Sequence, residues 1–223
     1  MPIKIGPLAR HHQRMKRDSG WLGAYGVIAV VHLVTIAIGE PWSEAITKVL
    51  LMPALAIWVW LRGGPVTLLI ALAASLVGDF LLQIDHLVPG MAAFGVAHVC
   101  YVLLFSQRTT QRSLVVVAGY GVLWVGVLAL LWPDLGDVRI QVAAYSLLLI
   151  ATAVTSAWNG WRSGVGGAVF LLSDALIGLE LAGYDFGARP YLVMATYCAA
   201  QYLLASSLVA VGQPAEQDLE RAA

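Results

Sequence analysis

The chain has 223 residues, 60% of them hydrophobic and only 12% charged, with 13 Lys and Arg balanced by 13 Asp and Glu. That balance and a mean hydropathy of +0.80 exclude an ordinary water-soluble globule and point to a membrane protein. The basic residues are few and scattered, without the stripe or aromatic-basic weave a nucleic-acid partner needs, so none is expected.

In chain order, a basic leader (Lys4, Arg10, Arg14, Lys16, Arg17) precedes the first apolar run, 21–38. This run exceeds the roughly 7–15 residues of a signal-peptide core, so it is expected to stay as the first membrane helix. Further apolar runs follow at about 43–61, 65–84, 91–106, 114–132, 138–158, 164–183 and 190–211. Each is long enough, or nearly so, to cross a hydrocarbon core of about 30 Å. Short breaks rich in Gly, Pro and charge separate them, such as Gly39-Glu40-Pro41, Arg62-Gly63-Gly64-Pro65 and Val88-Pro89-Gly90. The pattern predicts an all-α, polytopic bundle of about eight transmembrane helices.

Loop charge predicts its orientation, because Lys and Arg are retained on the cytoplasmic side. With the N-terminus inside, the inner segments hold the leader's basic residues and Arg62, Arg108, Arg112, Arg162 and Arg221, while the outer loops hold only Arg139 and Arg189. The outer loops instead carry Glu40, Glu44, Asp85, Asp134, Asp137 and Asp185. The expectation is N-in and C-in: a basic cytoplasmic segment over 1–20, one transmembrane domain over 21–212, and a polar, disordered cytoplasmic tail over 213–223. Cys100 and Cys198 both lie in apolar runs and read as small buried hydrophobes.

The informative residues are the polar ones inside the apolar runs. An ionised Asp at a helix centre costs about 2.5–3.5 kcal/mol on insertion scales, so each buried charge needs a partner or a wet cavity. The chain carries Lys48 in the second run, Asp79 in the third, His98 in the fourth, and Asp174 and Glu180 in the seventh, with His32 and Gln201 as weaker members. Helical spacing puts Phe94, His98 and Tyr101 on one face, and likewise Tyr197 with Gln201 and Ser75 with Asp79. If those faces turn inward, the set converges on one cavity. Bland alternatives stand beside this: Lys48 pairing with Glu44 one turn away, His32 as a packing histidine, and Glu180 tied to Arg189 at a helix end. Asp79, His98 and Asp174 are the hardest to explain as packing alone. No HxxxH, HExxH, CxxC, GxSxG or phosphate-binding Gly-rich loop is present, so neither a metal nor another cofactor is expected.

Four stretches carry a resemblance. Ser75-Leu76-Val77-Gly78-Asp79, Phe94-Gly95-Val96-Ala97-His98-Val99-Cys100-Tyr101, Phe170-Leu171-Leu172-Ser173-Asp174 and Tyr197-Cys198-Ala199-Ala200-Gln201 are similar, in order, to the GD, FxxxHxxY, SD and YxxxQ patterns of the YhhN-like membrane proteins. That family's characterised members include animal lysoplasmalogenases. One departure is that the family's second helix commonly reads Lys-Pro, whereas here Lys48 is followed by Val49 and the proline comes at Pro53.

The resemblance implies an integral, multi-pass enzyme of about eight helices, in the plasma membrane if the host is bacterial. It would hydrolyse the alkenyl ether bond of a lysophospholipid to a fatty aldehyde and a glycerophospho-amine. Such cleavage begins with protonation of the alkene and passes through an oxocarbenium-like cation, so it needs an acid and a nearby anion. Asp79 and Asp174 fit those two roles, in an order the sequence leaves open, with His98 orienting a carboxylate or water. Lys48 would meet the lipid phosphate, and Tyr101, Ser173, Tyr197 and Gln201 would contact substrate. Two other readings fit the same intramembrane acids: a small-solute or proton-coupled transporter, for which the like placement of the third and fourth against the seventh and eighth helices suggests a repeat, and a non-catalytic lipid-binding scaffold.

Overall fold

The computed structural model describes residues 7–109 and 111–209; the expected tail over 213–223 and the first six residues of the leader lie outside them. Among the described residues there are eight α-helices: α1 (Pro7–Ile38), α2 (Pro41–Leu61), α3 (Val66–Gln83), α4 (Leu87–Arg108), α5 (Leu114–Leu131), α6 (Arg139–Ala157), α7 (Trp161–Leu181) and α8 (Arg189–Val209), with a short 3-10 turn at Gly136–Val138. All eight include a stretch long and apolar enough to cross a membrane.

Two boundaries differ from expectation for physical reasons. Helix α4 begins at Leu87, ahead of Pro89, because a proline in the first turn replaces an N–H that has no intrahelical acceptor. Helix α2 likewise starts on Pro41 and runs on through Pro53. Helix α1 extends back to Pro7, so the polar leader from that point is helical and continuous with the first span.

Neighbouring helices pack as antiparallel hairpins, most extensively α3 on α4 and α7 on α8, while α6 is wedged between α4 and α7. The α1–α2, α3–α4, α5–α6 and α7–α8 loops therefore share one end, which we call the acidic end. Close approach depends on small residues, as expected where lipid removes the hydrophobic drive between helices. A Cβ on Gly167 of α7 would lie 2.2 Å from Ser156 Oγ and 2.9 Å from Ala153 Cα of α6, so only glycine lets these two backbones meet. Gly160, which precedes α7, has φ of 110°, a conformation that also favours glycine.

The main core lies between α2, α3, α4 and α8, around Leu51, Leu55, Leu68, Leu72, Tyr101, Phe105 and Leu204. A satellite cluster of Leu131, Leu135 and Ala182 holds the ends of α5 and α7 together at the acidic end. Cys100 and Cys198 are buried and unbonded.

Candidate active site

Asp79 lies near the acidic end of α3, about 6 Å from its last residue at 1.5 Å rise per residue; Asp174 of α7 and Lys48 of α2 each lie about 10 Å from the corresponding helix ends. Three helices thus bring two carboxyl groups and an ammonium to similar depth. All three line one cavity of about 330 Å³. Asp174 and Asp79 stand within electrostatic reach of each other, and Lys48 within reach of Asp79. Lys48 is the sole Lys or Arg among the lining residues, and among the described residues no Glu44–Lys48 ion pair forms.

Each carboxyl group accepts from a tyrosine on a different helix. Tyr197 of α8 donates to Asp79 Oδ2 at 2.7 Å, and Tyr145 of α6 donates a short hydrogen bond to Asp174 Oδ2. Each pairing spares the other carboxyl oxygen for the cavity. Gly78 sets up the first pairing: a Cβ there would lie 2.5 Å from the Phe94 ring, and Phe94 in turn meets Tyr197 edge-on, with centroids 6.0 Å apart. The rings continue from Tyr197 to Phe170, from Phe170 to His98 and from His98 to Tyr145, at 5.7, 4.8 and 5.6 Å. One edge-to-face aromatic series therefore fixes both tyrosine hydroxyls relative to each other.

His98 is fully buried behind Tyr145 and does not line the cavity. Its Nε2 is 3.2 Å from the Tyr145 hydroxyl and its Nδ1 3.1 Å from Thr152 Oγ1. Tyr145 has one hydroxyl proton, which goes to Asp174, so its oxygen is left to accept from His98 Nε2–H, while Thr152 Oγ1 beside Nδ1 also donates to the Leu148 carbonyl at 3.1 Å. Tyr101 and Gln201 also lie behind the wall: Tyr101 donates to Gln201 Oε1 at 2.6 Å, and Gln201 Nε2 donates to Ser75 Oγ at 3.0 Å. This chain joins α4, α8 and α3 just below Asp79. Ser173 lines the cavity and donates to the Val193 carbonyl at 3.0 Å, fixing α7 against α8 beside Asp174.

Of the eight residues given site roles from the sequence, Lys48, Asp79, Ser173, Asp174 and Tyr197 thus line the cavity, while His98, Tyr101 and Gln201 form its polar backing. Glu180 instead forms a two-pronged ion pair with Arg189 at the acidic end, and His32 hydrogen-bonds Thr47 at 2.8 Å. Tyr145 was missed. Its signal was the seven-residue spacing to Thr152, which puts both on one face of α6, but a lone tyrosine in an apolar helix is ordinary. Apart from Tyr145, Trp124 and Ser146, the rest of the lining is apolar, from Leu82 and Met91 through Leu128 and Leu149 to Leu171.

Fold and site define a class: a multi-pass helical membrane protein with a pair of acids at similar depth in one largely apolar cavity. The chain matches the model of the YhhN family over residues 43–208 and belongs to that family. It is 35% identical to "Lysoplasmalogenase TMEM86B" of Homo sapiens, across 74% of this chain and 75% of that protein. It is 31% identical to the Rattus norvegicus protein of the same name, across 84% and 83%, and 28% identical to "Lysoplasmalogenase TMEM86A" of Bos taurus, across 78% and 82%. No solved structure matches.

Proposed function

We propose that this protein is a lysoplasmalogenase: it hydrolyses the vinyl-ether bond of a lysophospholipid, using Asp174 as the proton donor and Asp79 as the anion. The observation that carries the reading is that two carboxyl groups from separate helices open into one apolar cavity, each with one oxygen occupied by a tyrosine donor. The names of the relatives supply the substrate class, and they favour an enzyme over a transporter.

The roles follow from charge. Lys48 lies within electrostatic reach of Asp79 and would favour its carboxylate form, whereas no other Lys or Arg lines the cavity to do the same for Asp174. Asp174 gives its proton to the alkene carbon remote from oxygen; the π pair becomes the new C–H bond and leaves an oxocarbenium ion. Asp79 stabilises that cation and takes a proton from the water that adds to it. It then returns this proton to the departing glycerol oxygen as the hemiacetal hydroxyl gives its own to Asp174. Fatty aldehyde and glycerophospho-amine leave, and both acids are restored. Fixed hydroxyls and a fixed cation need little reorganisation as charge develops, which is the main source of such stabilisation. Tyr145, held by His98, positions Asp174, and Lys48, the cation in the cavity lining, is the group to meet the substrate phosphate.

The same reading places the acidic end outside and both termini in the cytoplasm, following the loop charges; in a bacterial host the membrane is the inner one. Purified protein is expected to release aldehyde from a lysoplasmalogen, followed by mass spectrometry. Asp79→Asn and Asp174→Asn should each lower turnover by about 100-fold or more while the proteins still insert and fold. Full activity in both variants, or solute uptake into liposomes without lipid turnover, overturns the proposal.

A further inference from the structure

Helix α5 is unlike the other walls of the cavity. It packs on α6 and makes no extensive contact with another helix among the described residues, and it is pinned at mid-height by a 2.9 Å hydrogen bond from Trp124 Nε1 to Ser146 Oγ. At the acidic end it also meets α7, where a Cβ on Gly178 would lie 3.5 Å from Leu131 Cδ1. Below that closure the two helices face each other across the cavity without packing. Four lining residues there are exposed: Leu123 (48%) and Val127 (37%) on α5, and Leu172 (51%) and, one turn away, Ala168 on α7. A residue that both lines a cavity and faces outward marks its mouth. This mouth is halfway along both helices, at the level of lipid chains.

The lining residue of α7 farthest from the acidic end is Ala168, itself exposed, so the enclosed part of the cavity reaches no farther than this residue. It lies about 9 Å beyond Asp174 along the helix, whereas a chain reaching the bilayer midplane from the interface runs about 15 Å, half the hydrocarbon core. A bound chain thus outruns the enclosed space, and the side mouth is where its remainder has room.

Resting on the hydrolase reading above, we infer that the apolar half of the cavity binds the substrate's single hydrocarbon chain, and that the chain's end leaves between α5 and α7 past Leu123, Val127 and Leu172 into the bilayer. The site therefore does not measure chain length. A closed pocket discriminates about 10-fold or more per methylene; an open channel does not discriminate once the chain reaches its mouth.

The test has two arms. In the first, kcat/KM is measured for lysoplasmalogens of short, intermediate and long alkenyl chain. The wild-type profile is expected to stay within about 3-fold beyond the chain length that fills the channel, and Leu172→Trp, which narrows the mouth, to lower the long-to-short ratio about 10-fold. A sharp wild-type optimum, or an unchanged ratio in a folded Leu172→Trp protein, overturns the inference. The second arm needs no turnover: a saturated-ether lysophospholipid with a diazirine midway along its chain is photolysed on the wild-type protein and the adducts mapped. Adducts at Leu123, Val127 or Leu172 are expected; adducts confined to other helices overturn the inference. Adducts at the mouth without hydrolysis of any vinyl ether would sink the hydrolase reading while leaving the chain site in place.

Discussion

Between helices α5 and α8, apolarity and burial run in opposite directions. Helix α5 is the most apolar of the eight spans and the least buried, whereas α8 is among the more polar and more than half of its span is interior. In water the ranking would be reversed, since burial of hydrocarbon is what folds a soluble chain. In a bilayer a leucine gains little by leaving lipid, so the interior goes to helices that offer small residues, shape and hydrogen bonds. Helix α8 offers all three: Ala200 and Ala205 in the core, Leu204 against Gly166 of α7, and Tyr197 and Gln201 in the polar network. Helix α5 offers a lipid-facing wall and one tryptophan hydrogen bond.

The comparison is broken or sharpened by matched substitutions, each read as equilibrium unfolding in mixed micelles. Leu204→Ala should have the largest effect. Its side chain is fully buried, with Cδ2 only 3.2 Å from where a Gly166 Cβ would stand, so truncation opens a void between α7 and α8 and costs about 2–5 kcal/mol. A loss below that range would mean that packing is not what holds α8 inside. Gln201→Ala comes next. It orphans the Tyr101 hydroxyl and Ser75 Oγ; interhelical hydrogen bonds in membranes average well below their vacuum strength, and the two together should cost about 1–2 kcal/mol. Gln201→Met, which keeps most of the volume and removes both hydrogen bonds, should lose about as much; a clearly smaller loss would point to lost volume instead of lost hydrogen bonds.

The spans were legible in the sequence because an apolar run of about 20 residues has the length of a bilayer crossing, and a chain this poor in charge has no polar surface with which to keep eight such runs in water. Asp79 and Asp174 stood out because carboxyl groups in hydrocarbon are costly. What the sequence left hidden is which neighbour each inward face meets. His98 and Tyr101 share a stripe of α4, but three residues is 300° of helical turn, so the two side chains point about 60° apart. That is enough for His98 to meet Tyr145 on α6 while Tyr101 meets Gln201 on α8. Tyr145 escaped notice for the same reason: its importance comes from facing Asp174 across a helix boundary, which no spacing within α6 reveals. Glu180, by contrast, was readable with Arg189 because both flank the same short loop.

Leu130→Ala on α5 is the counterpart of Leu204→Ala and should do almost nothing. The same atoms are removed, but Leu130 is 72% exposed, so lipid chains close over the gap and no void forms. The change in unfolding free energy should stay within about 0.5 kcal/mol. The position lies on the outward side of α5, away from the cavity, and turnover should hold as well. A loss of stability comparable to that of Leu204→Ala would mean that α5 has a protein neighbour on its outer face in the membrane, such as a second copy of the chain, and that its exposure belongs to the isolated protomer alone.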